Sequence, residues 1–180
     1  ITRDGLKVAI VGKPNAGKSS LINAILKDER TIVSEIAGTT RDAIDIPYTW
    51  GEENHTLIDT AGLRKRQQMD TSVEVFSAMR TERSIRRSDI CLLVVDLAAG
   101  ISTMDRKIAK MIKEERKPCL IVLNKWDLFH PGGSRQARLD EAIELIRTEL
   151  FFLSWAPYAC VSAKEGQHIS QIFTQISKIR

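Results

Sequence analysis

The sequence predicts an α/β domain built on a doubly wound, mostly parallel sheet of six strands with one antiparallel edge strand. Three observations predict it. Short apolar runs rich in β-branched residues alternate with stretches of helical periodicity, as strand–helix–strand units require. Two of those runs, Ile90–Val95 and Cys119–Leu123, are almost continuously apolar, which suits parallel strands covered on both faces. The first run ends in a glycine-bearing loop that opens a helix.

Taken in order, Leu6–Val11 reads as a strand that ends at Gly12, and Leu21, Ile22, Ile25 and Leu26 recur at helical spacing after Lys18. Ile44–Trp50 and Thr56–Ile58 flank Gly51-Glu52-Glu53-Asn54, a hairpin turn that supplies the antiparallel edge. Val73–Arg87 predicts a polar, basic helix, Ile90–Val95 a strand, Met104–Lys113 a helix and Cys119–Leu123 a strand. Pro131-Gly132-Gly133-Ser134 forms a loop in which Ser134 caps a helix over Ala137–Leu150. Tyr158–Val161 is a last short strand, and Ile169–Ile179 a closing helix.

No repeat, low-complexity tract or internal boundary interrupts the chain, so residues 1–180 are expected to form one domain. Its start, Ile1-Thr2-Arg3-Asp4-Gly5, has neither an initiating methionine nor a signal peptide's apolar core, which suggests a segment of a longer protein. A hydrophobic share of 43% suits a globular protein and excludes a disordered one. No apolar run reaches the roughly 18–20 residues needed to span a bilayer, so no membrane role is expected. The net charge of +4 is compatible with RNA contact and does not require it. Cys91, Cys119 and Cys160 are odd in number and lack metal-ligand spacing, predicting reduced, buried thiols and a cytoplasmic protein. His55, His130 and His168 are isolated and read as loop or surface residues without a metal.

Five separated stretches carry the chemistry. Gly12-Lys13-Pro14-Asn15-Ala16-Gly17-Lys18-Ser19, followed by Ser20, has the Walker A form between a strand and a helix. Its glycines let successive N–H groups surround phosphates at the positive end of the helix. Lys18 is expected to bridge the β- and γ-phosphates, and the Ser19 hydroxyl to bind Mg²⁺. Asp59-Thr60-Ala61-Gly62 places a carboxylate to hold Mg²⁺ through water and an N–H at Gly62 to sense the γ-phosphate. Thr39-Thr40 lies between these motifs, and Thr40 is expected to complete the Mg²⁺ shell only with GTP bound. In Asn124-Lys125-Trp126-Asp127 the carboxylate can accept both N–H donors of guanine, a pair that adenine lacks. Ser162-Ala163-Lys164 follows the last strand and offers a backbone N–H to the guanine carbonyl. The expected cofactors are therefore GTP or GDP and Mg²⁺. Asp96 also ends a strand and reads as a structural loop residue.

Together these residues resemble the P-loop NTPases with a Ras-like G domain, in their translation-factor-related branch. Ala37–Asp42, Asp59–Arg66 and the tryptophan at Trp126 make the chain most similar to the Der (EngA) family, in particular to its second GTPase domain. The resemblance implies a GTP-hydrolysing switch for assembly of the large ribosomal subunit, beside another GTPase domain and a KH-like domain. It also implies a K⁺ ion held by Asn15 with backbone carbonyls of the first switch loop, such as Ser34, Ile36 and Thr39. Such an ion would assist hydrolysis alongside Lys18, Thr40 and Gly62. Leu63 departs from the Ras-like pattern, since it stands where many GTPases carry a water-orienting glutamine. Hydrolysis is therefore expected to be slow, or to rely on another group such as K⁺ or Arg41. A binding module with negligible hydrolysis and the G domain of a tRNA-modification GTPase stand as alternative readings. The basic stretch from Arg64 to Arg87 reads equally as a partner surface for ribosomal RNA and as a solvated helix face.

Overall fold

The computed structural model describes residues 5–33, 45–60, 63 and 76–179. In chain order the elements are β1 (Leu6–Gly12), α1 (Lys18–Lys27), β2 (Thr31–Val33), β3 (Ile46–Trp50), β4 (Glu53–Leu57) and α2 (Ala78–Arg87). They continue with β5 (Ile90–Asp96), α3 (Thr103–Glu114), β6 (Cys119–Asn124), α4 (Arg135–Glu149), β7 (Tyr158–Cys160) and α5 (Ile169–Ile179). Short 3-10 turns occupy Trp126–Leu128 and Phe151–Leu153.

The strands form one sheet in the order β2-β3-β4-β1-β5-β6-β7. From β4 to β7 every pairing is parallel, whereas β3 runs against both of its neighbours. The sheet thus has seven strands where six were expected, and both pairings at the β2 edge are antiparallel. The additional strand escaped the sequence because β2 is only three residues long, with Ile32 69% exposed, too short and too wet for a periodic signal. The hairpin turn is also tighter than expected. Trp50 pairs directly with Glu53, so only Gly51 and Glu52 lie between the strands and β4 begins at Glu53. The helix expected over Val73–Arg87 begins at Ala78, where the Ser77 hydroxyl accepts from the Arg80 N–H at 3.3 Å. Residues 73–75 lie outside the described set.

Alternation along the central strands sorts the core into two layers. Val8, Ile10, Leu92, Val94, Leu120 and Val122 face α1 and α5, whose Leu21, Ile22, Ile25, Ile172, Phe173 and Ile176 close that side. Their neighbours Ala9, Val11, Cys91, Leu93, Ile121 and Leu123 meet Ile85 of α2, Ile108 and Ile112 of α3 and Ile146 of α4. Each fully buried aliphatic side chain removes enough apolar surface from water to contribute roughly 1.5–3 kcal/mol. The doubly wound architecture is the one the apolar runs predicted. α3 is fixed at its start by a capping box between Ser102 and Asp105. Ser134 caps α4 as expected, its hydroxyl accepting from the Ala137 N–H at 3.1 Å.

His55 corrects the expectation of a loop or surface residue. Because β4 starts early, His55 lies within the strand, 1% exposed, with its ring 5.4 Å from Tyr48 and 5.9 Å from Phe173. His130 and His168 are exposed, as expected. All three cysteines are buried and unpaired with one another. Among the described residues no helix is long and apolar enough to cross a membrane.

Candidate functional site

Every described motif loop leaves the sheet at the same edge, the C-terminal ends of the parallel strands. After β1 the chain runs to the far edge at β2 and steps back to β4 beside β1, then crosses to β5 and builds outward on the other side, so the crevice beside β1 lies where open α/β sheets bind ligands. Gly12 ends β1 with its Cα facing the β5 backbone, where an added Cβ would stand 2.6 Å from the Val94 carbonyl oxygen. Ile58 still donates its N–H to the Val8 carbonyl at 3.0 Å, so the phosphate loop and Asp59 emerge side by side.

Within the phosphate loop, Asn15 and Gly17 both have left-handed backbones, φ 67° and 105°. Gly17 is the N-cap of α1 and has no side-chain cap, which leaves the helix's first N–H groups directed into the loop. The ammonium of Lys18, 7% exposed, curls inward and donates to the carbonyls of Gly12 at 2.8 Å and Lys13 at 2.7 Å. Ser19 sits on the first turn of α1 with its hydroxyl donating to the Leu63 carbonyl at 2.8 Å. Leu63 itself is half-buried and packed against the core layer of α1 and α5, so its side chain belongs to the interior.

Asn124 fastens three of the motifs together. Its Nδ2 donates to the Ala16 carbonyl at 2.8 Å, and its Oδ1 accepts from the Ala163 N–H at 3.0 Å. Both bonds are buried, where leaving either side unpaired costs about 1–3 kcal/mol. Lys125 has a left-handed backbone, φ 62°, that swings its stem back toward the phosphate loop. Its ammonium pairs with Asp96 at 2.7 Å and reaches the Asn15 carbonyl at 3.5 Å. Burial would raise the Asp96 carboxyl, but the Lys125 hydrogen bond, the Ala99 N–H and the lysine charges outweigh it and hold the group below the usual range. Asp96 is thus a structural residue as expected, with a site motif as its partner.

Asp127 is half-buried on the 3-10 turn and makes no hydrogen bond to the protein among the described residues. Its acceptors remain available to a base. Trp126 turns the other way. Its ring stacks on Phe129 at 5.9 Å and lies under the Arg138 guanidinium at 4.4 Å, so it anchors the turn to α4. Ser162 is buried and exchanges backbone hydrogen bonds with Gln167, while Lys164 is exposed.

Asp59 carries the densest network. Its backbone is left-handed at φ 56°, an uncommon conformation for a non-glycine residue. Its N–H donates to Asp45 Oδ1 at 3.0 Å, its Oδ2 accepts from the Ser84 hydroxyl at 2.7 Å, and its Oδ1 accepts from Arg87. A second prong of Arg87 reaches Asp45 Oδ2 at 2.9 Å. The guanidinium pKa is raised first by the Asp45 hydrogen bond and, against the opposing effect of burial, by the Asp59 charge.

The donor set near β1, a hydroxyl from Ser19 and a carboxylate from Asp59, is all oxygen and suits a hard cation such as Mg²⁺. Among the described residues no group of three or more His, Cys, Asp or Glu could hold a metal. Thr60 is buried beside Asp59. Ser34, Ile36, Thr39, Thr40, Arg41, Ala61 and Gly62, together with 64–75, lie outside the described residues. Sequence reasoning overlooked Asp45, Ser84 and Arg138, and read Arg87 only as part of the basic stretch from Arg64, not as a partner of Asp59. Their polar character alone gave no signal, because each acts on a motif at least twelve residues away.

Comparison with known proteins finds relatives that cover nearly the whole chain. A family described as "50S ribosome-binding GTPase" matches residues 7–125. The GTPase Der of Akkermansia muciniphila is 61% identical over 175 residues, which cover 97% of this chain and 38% of that protein. The GTPase Der of Alkaliphilus oremlandii is 46% identical over 176 residues, 98% of this chain and 39% of that one. The chain thus spans about two fifths of the length of these curated relatives. Among solved structures, the translation elongation factor SelB of Methanococcus maripaludis, in complex with the GTP analogue GppNHp, superposes with a TM-score of 0.64 at 16% identity. That match covers 98% of this chain and 35% of the other. A probable GTP-binding protein EngB gives 0.57 at 21% identity, covering 96% and 97%. At these identities the structural likeness shows the fold alone.

Proposed function

The chain belongs to the 50S ribosome-binding GTPase family, and from that premise we propose that it is the GTP-hydrolysing switch of a longer protein serving assembly of the large ribosomal subunit. The observation that carries this reading is the Asn124 side chain, which holds the phosphate loop and the Ser162-Ala163-Lys164 loop at one distance from each other. A nucleotide fits that arrangement with phosphates on the N–H groups of residues 12–20 and the base against Asp127. Lys18 would then exchange loop carbonyls for phosphate oxygens. Ser19, Thr40 and Asp59 would hold Mg²⁺, which when bound neutralises charge across the β- and γ-phosphates. Gly62 would sense the γ-phosphate through its N–H.

Base identity is tested at Asp127. Replacing it with Asn turns one acceptor into a donor facing guanine's own donors. A hydrogen bond to a charged group is worth about 1.5–3 kcal/mol, so GTP affinity falls by roughly ten- to a hundredfold. Xanthine nucleotides gain relative to GTP. Equal GTP binding by Asp127→Asn, measured by calorimetry, would place the base elsewhere.

Hydrolysis is proposed to be slow and stimulated by K⁺. Leu63 supports slowness, because a core-packed leucine cannot orient water. It equally favours the second reading, a nucleotide-dependent binding module with negligible turnover. Asn15, with carbonyls of Ser34, Ile36 and Thr39, would hold K⁺ where other GTPases place an arginine finger, worth about 10³–10⁵ in rate. A monovalent ion in that place gives less. GTP turnover in KCl against NaCl at matched ionic strength decides between the readings. K⁺ accelerates the wild type and barely affects Asn15→Ala. Turnover at the uncatalysed rate in both salts leaves the binding module standing.

A further inference from the structure

Building on the magnesium role proposed for Asp59, we propose that Arg87 and Ser84 form a clasp on that carboxylate, which α2 must loosen before Asp59 can serve a hydrated Mg²⁺. Both oxygens of Asp59 are engaged from the α2 side, Oδ1 by Arg87 and Oδ2 by the Ser84 hydroxyl at 2.7 Å. Two donors from one side fix the plane of the carboxylate. Asp45 completes the grip, taking the other prong of Arg87 at 2.9 Å and the Asp59 N–H at 3.0 Å. Side chain and backbone of Asp59 are therefore held by the same four-residue network, with the backbone in an uncommon left-handed conformation.

Charge gives the clasp its direction. Arg87 is a permanent cation in direct contact with the carboxylate that is to face a divalent cation. Like charges around one carboxylate compete for it, and half-exposed groups soften that competition without abolishing it. Ser84 and Arg87 stand three residues apart on one helix face, so they hold or release Asp59 together. The helix position and the metal affinity are then two sides of one coupling, and whatever moves α2 also changes how tightly Mg²⁺ is held.

The test titrates free Mg²⁺ against release of N-methylanthraniloyl-GDP from the purified protein. The midpoint of the slowing is compared for wild type, Arg87→Met, Arg87→Lys and Ser84→Ala. Removing the competing cation lowers the Mg²⁺ midpoint by about three- to tenfold in Arg87→Met, the range for a partly exposed charge-assisted pair. Ser84→Ala shifts it the same way by less. Arg87→Lys falls between wild type and Arg87→Met, since it keeps the charge and loses the two-pronged geometry. An unchanged or raised midpoint in a cooperatively melting Arg87→Met overturns the clasp and makes Arg87 a structural tie. If that variant does not fold, an unchanged midpoint in Ser84→Ala overturns it instead. A wild type whose nucleotide release ignores Mg²⁺ removes the magnesium role of Asp59 itself, and the clasp with it.

Discussion

At Gly17 the backbone sits at φ 105°, and an added Cβ would come 2.1 Å from Nδ2 of Asn124. Two independent demands therefore meet at one residue, a left-handed conformation and an empty space against a buried amide. Gly17→Ala meets the first at a cost of about 1–2 kcal/mol. It meets the second by pushing Asn124 off the Ala16 carbonyl and the Ala163 N–H, at about 1 kcal/mol for each bond. The expected loss is about 3–4 kcal/mol in urea unfolding, together with loss of nucleotide binding. A variant as stable as wild type would mean that Asn124 can move aside freely. The sequence announced the glycine through its motif, but the reason for it is an asparagine more than a hundred residues away. Asp96 teaches the same lesson. A carboxylate at a strand end reads as a turn residue until Lys125 is seen folding back onto it.

Among the elements, α5 is bound most specifically, through aromatic contacts to the β3–β4 hairpin. Phe173 stacks on Trp50 at 4.6 Å and on His55 at 5.9 Å, and meets Tyr48 edge-on at 6.1 Å. The Ser177 hydroxyl adds a hydrogen bond to Glu53 at 2.6 Å. Phe173→Ala empties the centre of this cluster and should cost about 3–5 kcal/mol. Ser177→Ala removes an exposed hydroxyl shared between the Glu53 carboxylate and the Phe173 carbonyl, leaves that carbonyl its helical partner, and should cost about 1 kcal/mol. Equal losses for the two in denaturant unfolding would show that the helix is held by polar contacts instead. The helices were legible because 3.6-residue periodicity is a local property. The hairpin register was not, since a two-residue and a four-residue turn share the glycine at Gly51, and that choice decides whether His55 is in or out.

For the molecule as a whole, the legible part was what short range encodes. The central strands declared themselves by apolar runs, and the phosphate loop, Asn124–Asp127 and Ser162–Lys164 by residue types at fixed spacing. What stayed hidden were single polar residues that matter only after folding. Asp45 precedes β3 while Ser84 and Arg87 share α2, and these two segments meet at Asp59, with Arg87 28 positions along the chain from its partner there. No local pattern marks such a convergence. The short β2 strand was hidden for the opposite reason, having too few residues to show any period.

The three buried thiols have a practical consequence. Burial pushes Cys91 and Cys160 up to about 11 and raises Cys119 further still. At neutral pH the native fold therefore presents almost no thiolate to an alkylating reagent. Within these 180 residues all three natural thiols are buried, so labelling need not begin by replacing them. A cysteine introduced at an exposed position on α2, such as Met79 at 78% exposure, should react with a maleimide dye far faster than the three buried thiols, and mass spectrometry of the labelled chain checks it.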